Sequence, residues 1–534
     1  MNPASPQSAT GYAKRLLRPL VFLALTASLL WAAIGTLHWP IVGDAPLLHY
    51  IVFLHDHGMA PYTQVVDINL PGTYALEWTA MHLFGPGPLA WRCFDFLLLT
   101  LCGVSMVLIA VEHGIDWLAG FFAAALFALI HFRDGPTHTG QRDLMMTAML
   151  LPAIATLFYA TDLSSRPKRS AVERSASRTT IAAIWPFALF GFSLGMATII
   201  KPSGILFAFV LLTLLWIHLG KLHRPRIASL TYAKLGFLTP ILATVVWLHH
   251  HGALTAFLDT MRGLDAYHAS LGRPSLAALI VGSFPSVLLA VVIPALALFF
   301  VTKQGKQWPG LILIACILLG AVSYILQGKG YPYHRYPTEA FLLLTISLLA
   351  FPLLQSESWH RFPALFTVLL GALFLAPVSA SIACHYDWRN QEFNRSLASD
   401  LTTLGGSALN KNVQCIDTTA GCINTLYNLQ LVQATGYLYD CYLFQPQPAP
   451  AREQYREGFW NALQQSHPQV IVLSDQECFT MNRSFSLLDR WPQFRSLLQN
   501  DYTLVTQRTP PHTIAWWRHP AQPFSYRIYI RNAR

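Results

Sequence analysis

Residues 43–50 read GDAPLLHY, and after Asp44 no lysine or arginine follows until Arg92. An acid so far in sequence from any cation either caps a helix or acts on something outside its own segment. Asp56 and Asp67 lie in the same stretch. Other ionisable groups gather in four more short segments. HFRDGPTHTGQRD (131–143) carries Arg142 and Asp143, and IIKPSG (199–204) carries Lys201. Residues 259–273 hold Asp259, Arg262, Asp265, His268 and Arg273, and GKGYPYHRYP (328–337) holds Lys329, His334 and Arg335. A carboxylate can contact the proton of a hydroxyl, and cations or imidazoles can stabilise charge developing on a phosphate.

The elements that must position these groups are set by composition. Hydrophobic residues make up 53% of the 534 and charged residues 12%, against about a quarter charged in soluble domains. Apolar runs of bilayer-crossing length fall near 19–38, 92–111, 117–131, 144–161, 182–200, 203–219, 231–248, 276–301, 309–327, 337–354 and 362–382. The expected fold is therefore an all-α polytopic membrane domain of about eleven helices over residues 1–383. A small α/β domain follows over 384–534. Alternate gaps between spans differ about twofold in Lys and Arg, the richer set including Lys14, Arg15, Arg18 and the polar loop 162–180. Basic loops stay in the cytoplasm, which predicts a cytoplasmic N-terminus and an external tail. The formal charge of +10 then reads as a topology signal and an attraction to anionic lipid rather than a nucleic-acid footprint.

With that topology the ionisable segments share the external face. The spans themselves are nearly free of charge, and Asp95 and Glu339 fall near outer ends rather than the midplane, which disfavours ion-coupled transport. The first external loop exceeds a simple connection; residues 45–57 and 73–84 read as helices in it, one amphipathic and one interfacial. In the tail, strands are expected at 412–417, 470–474, 502–507, 513–517 and 525–530, with helices near 391–404, 452–466 and 484–498. The tail shows no G-x-G-x-x-G after a strand and no Walker lysine. Of eight cysteines, Cys93, Cys102 and Cys316 fall in spans. Five fall in the tail, where an oxidising compartment permits disulfides; Cys415 and Cys422 form the favoured pair.

Each candidate also has a plainer role. D-A-P is a helix start, so from pattern alone Asp44 reads first as an N-cap. Asp67 fits a turn, Asp143 fits the N-cap of the fourth span, and Lys201 fits a snorkelling lysine. Lys329, His334 and Arg335 sit among interfacial tyrosines or form a cationic cradle for a phosphate, with Arg142 a weaker member of that set. Arg262, Asp265 and His268 read as a solvated helix face.

GD-A-x-x-x-x-Y after the first span, HGMAPY (57–62), DINLPGTY (67–74), LFG (83–85) and WR (91–92) occur in one order on one face. Together they resemble the GT-C glycosyltransferases, integral-membrane enzymes using polyprenyl-phosphate sugars, in the branch of protein mannosyltransferases and lipid A aminoarabinose transferases. GQRDLMMTAMLLP (140–152), IIKP (199–202) and KGYPYHRYP (329–337) look like further pieces of a bacterial subgroup. The resemblance implies transfer of a sugar from a polyprenyl-phosphate donor to an acceptor hydroxyl at the periplasmic face of a bacterial inner membrane, with inversion. The acceptor stays open among lipid, glycan and protein. It implies Asp44 and Asp143 as catalytic acids; read from their own type and placement, Lys201, Lys329, His334, Arg335, Asp67 and Arg142 are the expected groups binding lipid phosphate or sugar. Where many members carry a lysine before a proline pair, this chain has Asn69-Leu70-Pro71-Gly72. No cofactor is evident, and no residue pattern requires a metal, though a divalent cation bound to a carboxylate is compatible with the sequence. The competing expectation is a transporter or lipid flippase with a periplasmic domain.

Overall fold

The computed structural model describes residues 7–165, 178–221, 226–284, 308–356, 359–386, 392–418, 420–479, 482–511 and 524–533. The membrane half runs α1 (Gln7–Gly35), α2 (Ala45–Asp56), α3 (Pro71–Phe84), α4 (Pro88–Glu112), α5 (Trp117–Asp134), α6 (Arg142–Ser165), α7 (Arg178–Ile200), α8 (Gly204–Lys221) and α9 (Arg226–His250). Helices Trp308–Gln327, Pro332–Leu354 and Arg361–Cys384 follow among the described residues. Among the described residues nine helices are long and apolar enough to cross a membrane, and Trp185–Ile200 in α7 is a shorter apolar helix. They match ten of the eleven expected spans, and this is a multi-pass membrane protein. The eighth expected span begins at Leu276–Gly282, but 285–307 lie outside the described residues.

The centre of the bundle is α5, α6 and Tyr336–Leu354, whose side chains are mostly buried. Large apolar side chains such as Phe209 and Val246 point outward on α8 and α9, where acyl chains replace water. With lipid as the surroundings, close approach of backbones drives helix association. On α7, a Cβ added at Gly191 would lie 1.8 Å from the carbonyl of Ala233 on α9. Gly236 on α9 meets Ala188 in the same way, at 2.0 Å. This crossing fixes the end of α7, and with it Lys201.

Of the first-loop helices, α2 turns its apolar face to protein, while α3 keeps Trp78, Leu83 and Phe84 exposed. Leu47, Leu48, Ile51, Val52 and Leu54 of α2 are all buried, packed beneath the tail helix Cys422–Asn428. Tyr50 Oη donates to the carbonyl of Leu431 at 2.8 Å and accepts from the Gln433 N–H at 2.8 Å. Tyr427 donates to the carbonyl of Pro86, and the Val66 N–H to that of Gly436. The tail thus rests on the first loop as one packed body with it.

The tail sheet has strand order β1 (Val413–Ile416), β2 (Val470–Ser474), β4 (Tyr526–Arg531), β3 (Tyr502–Arg508). β1 and β2 pair in parallel, Val413 opposite Val470, and the other pairings are antiparallel. A parallel pair needs a crossover, supplied here by Cys422–Asn428 and Pro450–Ser466. β2 is buried at every position, while edge strand β3 is largely exposed. The strand expected at 513–517 lies outside the described residues. Cys415 is bonded to Cys422, and Cys441 to Cys478.

Candidate active site

Gly43 has φ +74°, and a Cβ there would lie 3.0 Å from the carbonyl of Thr137. Only glycine relieves both the left-handed conformation and the contact. The turn it makes presents Asp44 at the start of α2. Asp44 occupies the N-cap position, yet its carboxylate makes no capping bond. The capping role is therefore not realised. Instead Tyr333 Oη donates to Asp44 Oδ2 at 3.3 Å. Asp44 is the one carboxylate among the described residues that lines both Gly43's turn and a cavity of about 140 Å³. A divalent ion placed there would have that single carboxylate as its anionic ligand.

Arg142, Lys329 and His334 line the same cavity. Arg142 opens α6, and its position is fixed from α4. Asp95 Oδ1 accepts the Gly140 N–H at 2.8 Å, and Trp91 Nε1 donates to Thr139 Oγ1 at 3.2 Å. Gly140, at φ +59°, has Trp91 where a side chain would go. Asp95 is in turn buried between Arg92 Nη1 at 2.6 Å and His131 Nε2 at 2.9 Å, and His131 Nδ1 reaches Tyr336 Oη at 2.5 Å. The WR motif and Asp95 are thus the frame for the GQRD turn. Arg142 also donates to Asn69 Oδ1. Asn69 is held by Asp67, which accepts its backbone N–H at 2.7 Å and its side-chain amide at 3.0 Å. Burial pushes the Asp67 carboxyl up, against hydrogen bonds from Tyr439 and Asn69. Asp67 therefore acts behind the wall, and Asn69 takes the wall position itself.

Lys329 donates to the carbonyls of His268, at 2.6 Å, and Leu271, and its ammonium lies 4.4 Å from the centre of the Phe479 ring. Two of its three donors are so engaged, leaving one for the cavity. Burial lowers its pKa to about 8, against Asp265, which favours the charged form. His334 is buried, and its Nδ1 has no hydrogen-bond partner among the described residues.

Asp143 is fully buried and takes no part in the cavity wall. It lies in the first turn of α6, not at a cap. One oxygen accepts from Lys201, and the other accepts from Gln327 Nε2 at 3.1 Å. His334 Nε2 stands 4.0 Å from it. Lys201 is lowered to about 8 by burial, with Asp143 opposing the shift. Lys201 and Asp143 thus form an inner layer beneath the cations that face the cavity. Arg335 does not join either layer: it turns to Glu339 at 3.6 Å and to the carbonyl of Gly282 at 3.5 Å.

Several cavity residues escaped the sequence reading. His268 is not on a solvated face: it lines the cavity, and its Nδ1 is 2.9 Å from Tyr442 Oη. Burial and the neighbouring Lys329 hold it down to about 3. Thr418, Tyr439, Cys441 and Phe479 reach the cavity from the tail. Periodicity carries no signal for them, because they come from loops and one four-residue helical turn, Asp440–Leu443, between strands. Asp440, Cys441 and Cys478 also converge, but both sulfurs are spent in one disulfide.

No family model and no curated protein matches the chain. Solved structures do. ArnT from Cupriavidus metallidurans, bound to undecaprenyl phosphate, superposes with a TM-score of 0.55 at 11% identity, over 97% of this chain and 98% of that one. The apo oligosaccharyltransferase of Archaeoglobus fulgidus gives 0.55 at 12% identity, over 96% and 76%. The fold is GT-C. A further similar structure is archaeal AglB from Archaeoglobus fulgidus with an inhibitory peptide and a dolichol-phosphate, at TM-score 0.53, 12% identity, and 94% and 75% coverage. The likeness covers 97% of the chain, bundle and tail together.

Proposed function

We propose that the protein transfers a sugar from a polyprenyl-phosphate donor to an acceptor hydroxyl, at the membrane face that carries the tail. The observation that carries this reading is one cavity shared by Asp44 and by Arg142, Lys329 and His334. The structural neighbours that hold undecaprenyl phosphate and dolichol-phosphate support a lipid phosphate as the donor's anchor. The Lys and Arg distribution supports a periplasmic face of a bacterial inner membrane.

In this account the donor enters from the lipid with its phosphate against Arg142, Lys329 and His334. The acceptor oxygen attacks the anomeric carbon from the opposite side. The carbon–oxygen bond to phosphate breaks, its electron pair stays on the phosphate, and the configuration inverts. The acceptor proton passes to Asp44, which Tyr333 orients. Charge grows on the leaving phosphate, where fixed cations stabilise the transition state more than the ground state. Asp143 acts as a positioning residue: it holds Lys201 beneath the cradle and favours its charged form. Asp67 positions Asn69 and, through it, Arg142. Arg335 has no part in the step.

The test uses full-length protein in lipid nanodiscs with a panel of polyprenyl-phosphate sugars. Wild type turns over a donor, and Asp44→Asn loses turnover while still binding undecaprenyl phosphate. Unchanged turnover in Asp44→Asn would remove the assignment.

A further inference from the structure

The cavity of about 140 Å³ is smaller than the ~300–1,000 Å³ of ordinary ligand sites. It has room for reacting groups but not for the body of an acceptor. A second cleft, of about 490 Å³, lies on the other side of the Cys441–Cys478 disulfide, and Cys441 and Phe479 line both spaces. One wall is the 270–272 turn, and the other is tail segment 444–447 together with 476–479, Asn482, Leu487 and Arg490. Gly272 has φ +57°, and a Cβ there would lie 2.7 Å from Phe479 Cβ. The glycine lets the Phe479 ring stand as a thin partition between cleft and cavity.

The cleft's chemistry is that of amides. Gln445, Gln447, Gln476 and Asn482 all line it. Gln476 Oε1 is enclosed with no hydrogen-bond partner among the described residues, and an unmade bond on a buried amide is costly. Asn482 Nδ2 donates to Glu477 Oε2 at 3.3 Å; an amide carries a donor pair and an acceptor, so the set as a whole matches the alternating hydroxyls of a sugar, while Phe444 and Phe479 offer apolar faces to its C–H groups. The cleft is not built for an anion. Its one arginine, Arg490, is engaged by Glu477 at 2.8 Å and by the carbonyl of Phe444 at 3.1 Å, and Asp440 adds a carboxyl to the wall.

We infer that this cleft binds the acceptor, and that the acceptor is a neutral glycan which reaches Asp44 past Phe479. The inference rests on the glycosyl-transfer reading and gives it an acceptor class. The sugar could be free or carried on a lipid; the recognised hydroxyls are the same.

The experiment presents full-length protein in nanodiscs to an array of neutral oligosaccharides, phosphorylated and uronic-acid oligosaccharides, and short peptides. The neutral set is also supplied on a lipid anchor within the nanodisc. Neutral glycans should be captured. Gln447→Trp and Asn482→Trp, both at exposed positions, should each weaken capture by about tenfold or more, the effect of one or two lost hydrogen bonds plus steric filling. Capture only in the anchored arm identifies a lipid-linked glycan, and capture in both arms a free one; either supports the site. Undecaprenyl phosphate affinity, measured alongside, should be unchanged in both variants. Capture of anionic glycans or peptides alone, capture of nothing, or neutral capture untouched in both variants would overturn the inference. Failure of wild type to bind undecaprenyl phosphate would instead strike the donor assignment.

Discussion

If the cavity holds a lipid phosphate, its grip must weaken as Lys329 loses its proton. Burial has lowered this lysine to about 8, and a bound phosphate raises it again by favouring the charged form. The free-state pKa therefore lies below the bound-state pKa. Affinity is then full below about 8 and falls as pH rises through that value, by about tenfold per pH unit until the bound-state pKa is reached. At about pH 9 roughly one tenth of the free protein carries the ammonium, so affinity should drop about tenfold from its value near pH 7.5. His268 and Asp440 do not mimic this. His268, at about 3, stays neutral throughout. Asp440, raised to about 7 by burial and by Asp417, is mostly ionised where the window begins, and the phosphate monoester has passed its second pKa near 6. Lys201, also near 8, adds to the loss through its longer-range field. The assay is binding of undecaprenyl phosphate to nanodisc-held protein by microscale thermophoresis across the window. Lys329→Gln should bind about 10- to 100-fold more weakly near neutrality, from loss of one charge-assisted hydrogen bond, and with a shallower pH dependence. An affinity that is flat or rising in wild type, or a Lys329→Gln profile equal to wild type, would refute the cradle.

Three further outcomes follow from the same geometry. Asp143→Asn leaves Lys201 buried without its anion; removal of one partner of such a pair costs about 3–5 kcal/mol, read as a lower midpoint in thermal unfolding together with weaker lipid-phosphate binding. Tyr333→Phe removes a single neutral hydroxyl from Asp44 and should lower kcat about 2- to 10-fold without changing phosphate affinity. Gly191→Val places a branched side chain against the Ala233 carbonyl across the α7–α9 crossing; overpacking of this kind costs about 1–3 kcal/mol, seen as a lower unfolding midpoint and, because α7 delivers Lys201, as weaker phosphate binding.

Much of the membrane half was legible because apolar run length is a direct physical constraint. Ten expected spans coincide with observed helices to within a few residues at most ends, and four of the five tail strands are found where β-branched runs predicted them. The coming together of Asp44, Arg142, Lys329 and His334 was also legible, since all four sit in or at the ends of connections that the topology places on one face. What sequence could not order is depth. Asp143 and Arg142 are adjacent, yet one turns inward to Lys201 and the other faces the cavity, a difference of one helical step. Lys329 and Arg335 share a short loop, but the 3-10 turn Pro332–Arg335 sends Arg335 toward Glu339. His268 and Phe479 were unreadable as site residues because the docked tail makes their environment. Neither is near Asp44 in sequence, and no local pattern records a contact across more than two hundred residues.

The most direct test is a cryo-EM map of the nanodisc-held protein with undecaprenyl phosphate. The account predicts phosphate density within hydrogen-bonding reach of Arg142 and Lys329, on the side of the cavity facing Asp44. Phosphate density at a different site, with this cavity unchanged, would contradict it.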